Sequence, residues 1–287
     1  MTGYEDRFWS SRDGLKLHYR DYPGTNPGRP PVICLHGLTR NARDFDELAD
    51  RLSPAWRVLC PEMRGRGDSE YAREAASYNP LQYVEDLLAL LEDAEIERFV
   101  AVGTSLGGLM TMLLALQAPE RIAAAVINDV GPRLEPAGLE RIKSYVGQGR
   151  SFPTWVHAAR ALEEVQGVSH PNQDLPFWIE AAKRVMTLSS VGRIVFDYDM
   201  KIAEPFARLD PAAEQVNMWP ALEALAGRPV VIVRGAVSDL LSEETLAGML
   251  ARLPEAEAVT VQGVGHAPNL AGPDVFGAID RLLARVA

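Results

Sequence analysis

The sequence has only two cysteines in 287 residues, Cys34 and Cys60, and no basic, apolar leader at its start. No uninterrupted apolar run approaches the roughly 18–20 residues that span a bilayer. Both thiols fall in runs read as strands, which makes them buried thiols rather than a bridge and argues against a disulfide-stapled secreted scaffold. Histidines are few and scattered, and neither C-x-x-C nor H-E-x-x-H occurs, so no metal site and no cofactor are expected. Positive charge is scarce too: 29 Lys and Arg stand against 39 Asp and Glu, a formal net charge of −10. Nucleic acid and an anionic membrane surface would both repel such a chain. An acidic surface is also simply that of a soluble protein, and a cytoplasmic location is the expectation.

What is present is enough apolar material for a large core, with 47% hydrophobic and 24% charged residues, in one domain with an insertion or in two domains. Strand-like runs occur at residues 15–20, 31–35, 56–60, 98–103, 122–128, 229–234 and 257–262, and the opening residues 1–21 alternate as edge strands do. After the first run, helix-like segments intervene, the pattern of a parallel sheet covered on both faces. Residues 131–215 break the rhythm. "GPRLEPAGLERIKSYVGQG", "TWVHAARALEEV", "PFWIEAAKRVM" and "FDYDMKIAEPFARL" read as helical or irregular pieces without clear core strands.

The stretch "AVGTSLGGLM", residues 101–110, carries the first chemical signal. A β-branched apolar run precedes it, and apolar residues at helical spacing follow until Pro119. The reading is strand, sharp turn, helix, with Ser105 held in a strained conformation at the turn. Gly103 and Gly107 are needed because a Cβ at either would meet the adjoining strand or helix. The turn exposes Oγ at the positive end of the following helix, and the Leu106 N–H can point at an oxyanion. A nucleophilic serine needs a base, and the base needs an orienting acid. His266, in "VTVQGVGHAPNL", follows a late strand and two glycines. His18, in a strand, and His157 and His170, in the middle region, are less well placed. Between Ser105 and His266 lies "RPVVIVRGAVSDLLS", whose loop carries Asp239. Ser238, Asp239 and Ser242 are equally suited to capping the helix that follows.

Taken together, "CLHGLTR" (34–40), "PEMRGRGDS" (61–69), "GTSLGG" (103–108), "RGAVSDLLS" (234–242) and "GVGHAP" (263–268) resemble the α/β-hydrolase superfamily in content and order along nearly the whole chain. The resemblance implies an α/β fold: an eight-stranded, mostly parallel sheet with helices on both faces, formed by residues 1–130 and 216–287, and a helical cap at 131–215. It implies Ser105 as nucleophile, His266 as base and Asp239 as acid. His36-Gly37-Leu38 resembles the family loop whose second oxyanion amide would be Leu38 N–H. Two departures stand out. Asp129, in "VINDVGP", ends the sixth strand where some relatives carry the acid, and is the alternative to Asp239. Glu62 replaces a common aspartate in a loop that Arg64, Gly65 and Gly67 shape.

The expected activity is hydrolysis of small to medium carboxylic esters through an acyl-enzyme on a serine. The same triad would serve an enol-lactone or a carbon–carbon bond beside a ketone, or peroxide in place of water in a perhydrolase. A receptor-like protein that binds without turnover is the reading of another class. Serine at the turn argues against the dehalogenases and epoxide hydrolases that place aspartate there. The partner expected is a small-molecule ester or related carbonyl compound, with neither nucleic acid nor membrane, while association as a homo-oligomer stays open. Trp155, Phe177, Trp178, Met186 and Tyr198 are read as cap packing before pocket wall.

Overall fold

The computed structural model describes residues 3–208 and 215–287. Residues 1–2, at the start of the alternating N-terminal stretch, and 209–214, near the end of the expected cap, lie outside the described residues. The strands are β1 (Glu5–Ser10), β2 (Lys16–Tyr22), β3 (Val32–Leu35), β4 (Val58–Pro61), β5 (Phe99–Thr104), β6 (Ile122–Asn128), β7 (Ser151–Phe152), β8 (Met186–Leu188), β9 (Ile194–Phe196), β10 (Val230–Gly235) and β11 (Glu257–Val261). The helices are α1 (Asp46–Leu52), α2 (Pro80–Asp93), α3 (Leu106–Gln117), α4 (Pro136–Tyr145), α5 (Trp155–Gln166), α6 (Leu175–Val185), α7 (Ala203–Ala207), α8 (Trp219–Glu223), α9 (Glu243–Arg252) and α10 (Pro273–Ala284).

Eight strands form one sheet in the order β1-β2-β4-β3-β5-β6-β10-β11, antiparallel at β1–β2 and β2–β4 and parallel from β4 onward. Period-two alternation sorts the central strands between two cores. Ile33, Leu35, Ala101, Ile127 and Ile232 face the side covered by α2, α3 and α8, while Val32, Cys34, Val102, Val126 and Val233 face α1 and α10. Cys34 and Cys60 share that second core as free, buried thiols, and burial pushes the Cys60 thiol up. Because the sheet is covered on both faces, its central strands are apolar throughout, which is why their positions were readable to within two residues.

The segment between β6 and β10 is not purely helical. β7, β9 and β8 pair as a small antiparallel sheet, and "FDYDMKIAEPFARL" begins on β9 rather than on a helix. Three-residue strands are too short to show alternation, so they escape a periodicity reading. Trp178 and Met186 are buried with α5 and α6 in a cluster of their own, with Trp155 and Phe177 against it.

The "PEMRGRGDS" loop fastens the end of β4. Arg64 is fully buried and holds both oxygens of the equally buried Asp86 at 2.6 and 2.7 Å. Gly67 has φ 53°, and a Cβ there would sit 2.1 Å from Glu62 Oε2. Asp13, half exposed, takes Nη1 and Nη2 of the Arg64 guanidinium at 2.9 and 2.8 Å, so Arg64 is shared between two carboxylates. Asp86→Ala leaves the buried side of the fork without its partner while Asp13 still balances the charge, and is expected to lower the unfolding free energy by about 1–3 kcal/mol, read from urea titration. A loss below about 1 kcal/mol would show that Asp13 alone satisfies Arg64.

Candidate active site

Ser105 joins β5 to α3 with φ 53° and ψ −113°, the left-handed half of the map that a residue with a Cβ avoids. The turn is held by Ser105 N–H donating to Asn128 O at 2.9 Å. A Cβ on Gly103 would lie 2.4 Å from the Gly107 backbone, and one on Gly107 would lie 2.0 Å from Leu35 O. Glycine at both positions is thus what lets strand and helix close on the serine. Leu106 begins α3, so its N–H is one of the helix's unpaired donors at the positive end of the dipole.

His266 Nε2 lies 2.9 Å from Ser105 Oγ, and His266 Nδ1 lies 2.9 Å from Asp129 Oδ2. Asp129 is fully buried directly after β6, at φ 54°. Gly235 N–H donates to its Oδ1 and Ser238 Oγ to its Oδ2, both at 2.7 Å. Three donors converge on this carboxylate, which fixes its orientation toward the imidazole. Ser238 Oγ in turn accepts from Leu240 and Leu241 N–H, so a residue read only as a helix cap shapes the acid's surroundings. Ser242, its neighbour, does cap α9.

Asp239 does not hold His266, which corrects the expectation from sequence. Its carboxylate faces α4, where Arg141 Nε and Nη2 donate to Oδ2 and Oδ1 at 2.5 and 2.8 Å. Burial alone would push this carboxyl up, but the Arg141 hydrogen bonds and charge outweigh it and hold it below the usual range. The backbone adds to the contact, with Glu135 N–H donating to Leu240 O at 3.0 Å and Gly138 leaving no room for a Cβ against Asp239 O. The loop after β10 is therefore committed to the inserted segment, and the carboxylate at the end of β6 takes the histidine instead.

Leu38 sits in the turn after β3, and its N–H has no acceptor among the described residues. The preceding carbonyl, Gly37 O, accepts from His36 Nδ1–H at 2.7 Å, while His36 Nε2 accepts from Met63 N–H at 3.0 Å. The second bond needs Nε2 unprotonated and hence a neutral ring, and complete burial pushes His36 down to about 4. A trans peptide points C=O and N–H in opposite directions, so anchoring Gly37 O fixes where Leu38 N–H points. Arg66, fully buried, donates from Nε and Nη2 to Leu38 O at 2.9 and 2.7 Å and holds the same turn from behind. The sequence had marked the His-Gly pair, but nothing local marks Arg66.

The loop bearing His266 is braced on two sides. Asn128 Nδ2 donates to Pro268 O at 2.8 Å, and Gly265 N–H donates to Ser169 O of the inserted segment at 2.6 Å. Elsewhere, His18, Glu62 and Asp68 place three ligand-type atoms within 4.8 Å of one another. Those of Glu62 are already engaged by His18 and by the Ala42 and Asp68 amides, so the group is explained as the support of its loop. No helix among the described residues is long and apolar enough to cross a membrane.

Comparison with known proteins agrees with this architecture. The family model described as alpha/beta hydrolase fold matches residues 30–273. The chain is 38% identical over 255 residues to a 3-hydroxybutyrate-oligomer hydrolase of Cupriavidus necator, covering 86% of each. A 2-(acetamidomethylene)succinate hydrolase of Mesorhizobium japonicum is 25% identical over 86% of this chain and 84% of its own. Among solved structures, an alpha/beta hydrolase from Novosphingobium aromaticivorans superposes with a TM-score of 0.95 at 60% identity over the whole of both chains.

Proposed function

The chain belongs to the alpha/beta hydrolase fold family, and on that premise we propose that it is a serine hydrolase cleaving carboxylic esters of small to medium substrates through an acyl-enzyme. The observation that carries the reading is the continuous line Asp129–His266–Ser105, with both hydrogen bonds at 2.9 Å. His266 Nε2 takes the proton of Ser105 Oγ as the oxygen attacks the ester carbonyl. Negative charge then develops on the carbonyl oxygen, where the N–H groups of Leu38 and Leu106 stabilise it. Asp129 holds the Nδ1 proton and stabilises the imidazolium without itself becoming protonated. His266 returns its proton to the leaving alcohol, then activates the water that releases the acid and restores Ser105. The relative from Cupriavidus necator, a 3-hydroxybutyrate-oligomer hydrolase, supports an ester bond between small hydroxy acids as the target. In this reading residues 131–215 act as a cap over the site and set substrate choice.

Fluorophosphonate labelling with mass mapping, run beside p-nitrophenyl esters of increasing acyl length, tests the proposal. The expected result is modification of Ser105 and turnover of the short esters. A folded protein that neither reacts with the probe nor turns over any ester would overturn it in favour of a receptor-like role.

A further inference from the structure

Arg64 and Arg66, neighbours in the loop after β4, are both fully buried, yet their charges are met differently. Arg64 is shared between the carboxylates of Asp86 and Asp13. Arg66 pairs with no carboxylate among the described residues. Its donors go to backbone carbonyls alone: Nε and Nη2 to Leu38 O at 2.9 and 2.7 Å, and Nη1 to Arg64 O at 2.7 Å. The ring centroids of Tyr83 and Tyr78 lie 4.7 and 5.8 Å from its Cζ, a weaker attraction than an ion pair. A guanidinium does not give up its proton in a protein, so this loop holds a full positive charge that its surroundings leave unbalanced.

The backbone on either side of Arg66 is fixed. Gly67 N–H donates to Asp197 O at 3.1 Å, Asp199 N–H donates to Gly65 O at 2.8 Å, and Arg66 itself pairs with Tyr198 across the same bridge. Holding Leu38 O, however, does not require a cation. A neutral amide or a backbone N–H would serve, whereas an unpaired charge is costly to bury.

The use for a charge at this place comes from the other end of Leu38. Its N–H is the amide that meets the substrate carbonyl oxygen in the ester-hydrolase reading, on which the present inference rests. Three bonds join the N and O of one residue, a span of at most about 4 Å, so the guanidinium lies within about 10 Å of the oxygen that turns negative. The same charge already acts on this loop in the resting protein. Burial first, and then Arg66, push His36 down to about 4 and keep neutral the ring that anchors Gly37 O.

We propose that Arg66 is a positioning residue that acts on the oxyanion by its charge as well as through Leu38: its buried, uncompensated guanidinium favours the negatively charged tetrahedral intermediate over the bound, neutral ester. Such a charge is set in place before the reaction, the condition under which electrostatic stabilisation is most effective. At an effective dielectric constant of about 20, a unit charge at about 10 Å is enough to change a rate by about 10–30-fold.

Arg66→Gln and Arg66→Lys each leave one donor for Leu38 O, neutral in the first and charged in the second, so the difference between them reads charge rather than hydrogen bonding. Each is compared with the wild type in kcat and KM for p-nitrophenyl butyrate and in calorimetric binding of butylboronic acid. The boron takes Ser105 Oγ, His266 takes the serine proton, and the tetrahedral adduct carries the negative charge of the intermediate. Arg66→Gln is expected to lower kcat and weaken the boronic acid by about 10–30-fold, with KM changed less than about threefold, the pattern of an interaction made only in the transition state. Arg66→Lys should recover most of both losses. Arg66→Met, which removes the buried charge without leaving a polar group behind, supplies the neutral arm if Arg66→Gln does not fold. Equal kcat and equal boronic acid affinity in the neutral and lysine variants overturn the proposal, as does a loss confined to KM. A wild type that binds the boronic acid but turns over no ester overturns the ester reading, while the boronic acid affinities still decide the role of Arg66. A wild type that does neither overturns both.

Discussion

Asp129→Asn is expected to lower kcat by about 10⁴-fold with the fold intact, the loss found when a triad aspartate is made neutral. The carboxylate accepts the His266 Nδ1 proton, and an asparagine there can present N–H₂ to the same nitrogen, selecting the tautomer that carries its proton on Nε2. That proton would point at Ser105 Oγ, and the ring would no longer be a base. Gly235 N–H would still donate to Oδ1 and keep the side chain in place, while the Ser238 hydroxyl would lose its acceptor at the Oδ2 position, so the effect is mainly one of charge and tautomer rather than collapse. Asp239→Asn is the control. Its carboxylate pairs with Arg141 at a partly exposed position, so its loss should cost stability on the order of 1 kcal/mol and kcat less than about tenfold. Steady-state kinetics of both variants on one p-nitrophenyl ester, with thermal unfolding alongside, decide the matter. The opposite ranking would mean that the loop after β10 rearranges in solution and brings Asp239 onto His266.

Ser105→Ala should reduce kcat by about 10⁶-fold and abolish fluorophosphonate labelling, since no other hydroxyl is bonded to His266 Nε2 among the described residues. A companion substitution separates chemistry from backbone. Ser105 sits at φ 53° and ψ −113°, a conformation that costs of order 1–3 kcal/mol for a residue with a Cβ. Alanine keeps that cost and glycine removes it. Ser105→Gly is accordingly expected to be as inactive as Ser105→Ala but measurably more stable, by a difference of about 1 kcal/mol in urea unfolding. Equal stability of the two variants would show that the turn is relaxed, and the strained-elbow account of why serine projects from it would be wrong.

Gly265 illustrates how much of the site depends on contacts that no local pattern announces. A Cβ there would lie 2.9 Å from Ser169 Cα, so the loop bearing His266 and the segment between β6 and β10 meet backbone to backbone. Two glycines before His266 are visible in the sequence, but the partner that requires the second of them is almost a hundred residues away. Tyr198 makes the same point from the other direction. Read as a cap aromatic, it is buried there, accepts from Gly147 N–H at 3.0 Å and also pairs by bridge with Arg66, tying the insertion to the loop behind Leu38.

The amino-acid sequence by itself determined the parallel sheet, the sharp turn at Ser105 and the position of His266. Each of these follows from neighbours within a few residues: apolar runs that suit a doubly covered strand, glycines that admit a close turn, a histidine just beyond a strand end. Only the tertiary structure decided the acid and the short strands of the insertion. Two aspartates stood at suitable loop positions, and the choice between them was made by partners far along the chain: Arg141 took Asp239, and Gly235 and Ser238 turned Asp129 toward His266. Whether a charge is matched is likewise a property of the packed chain, because the group that neutralises it is brought there by the fold and not by sequence proximity.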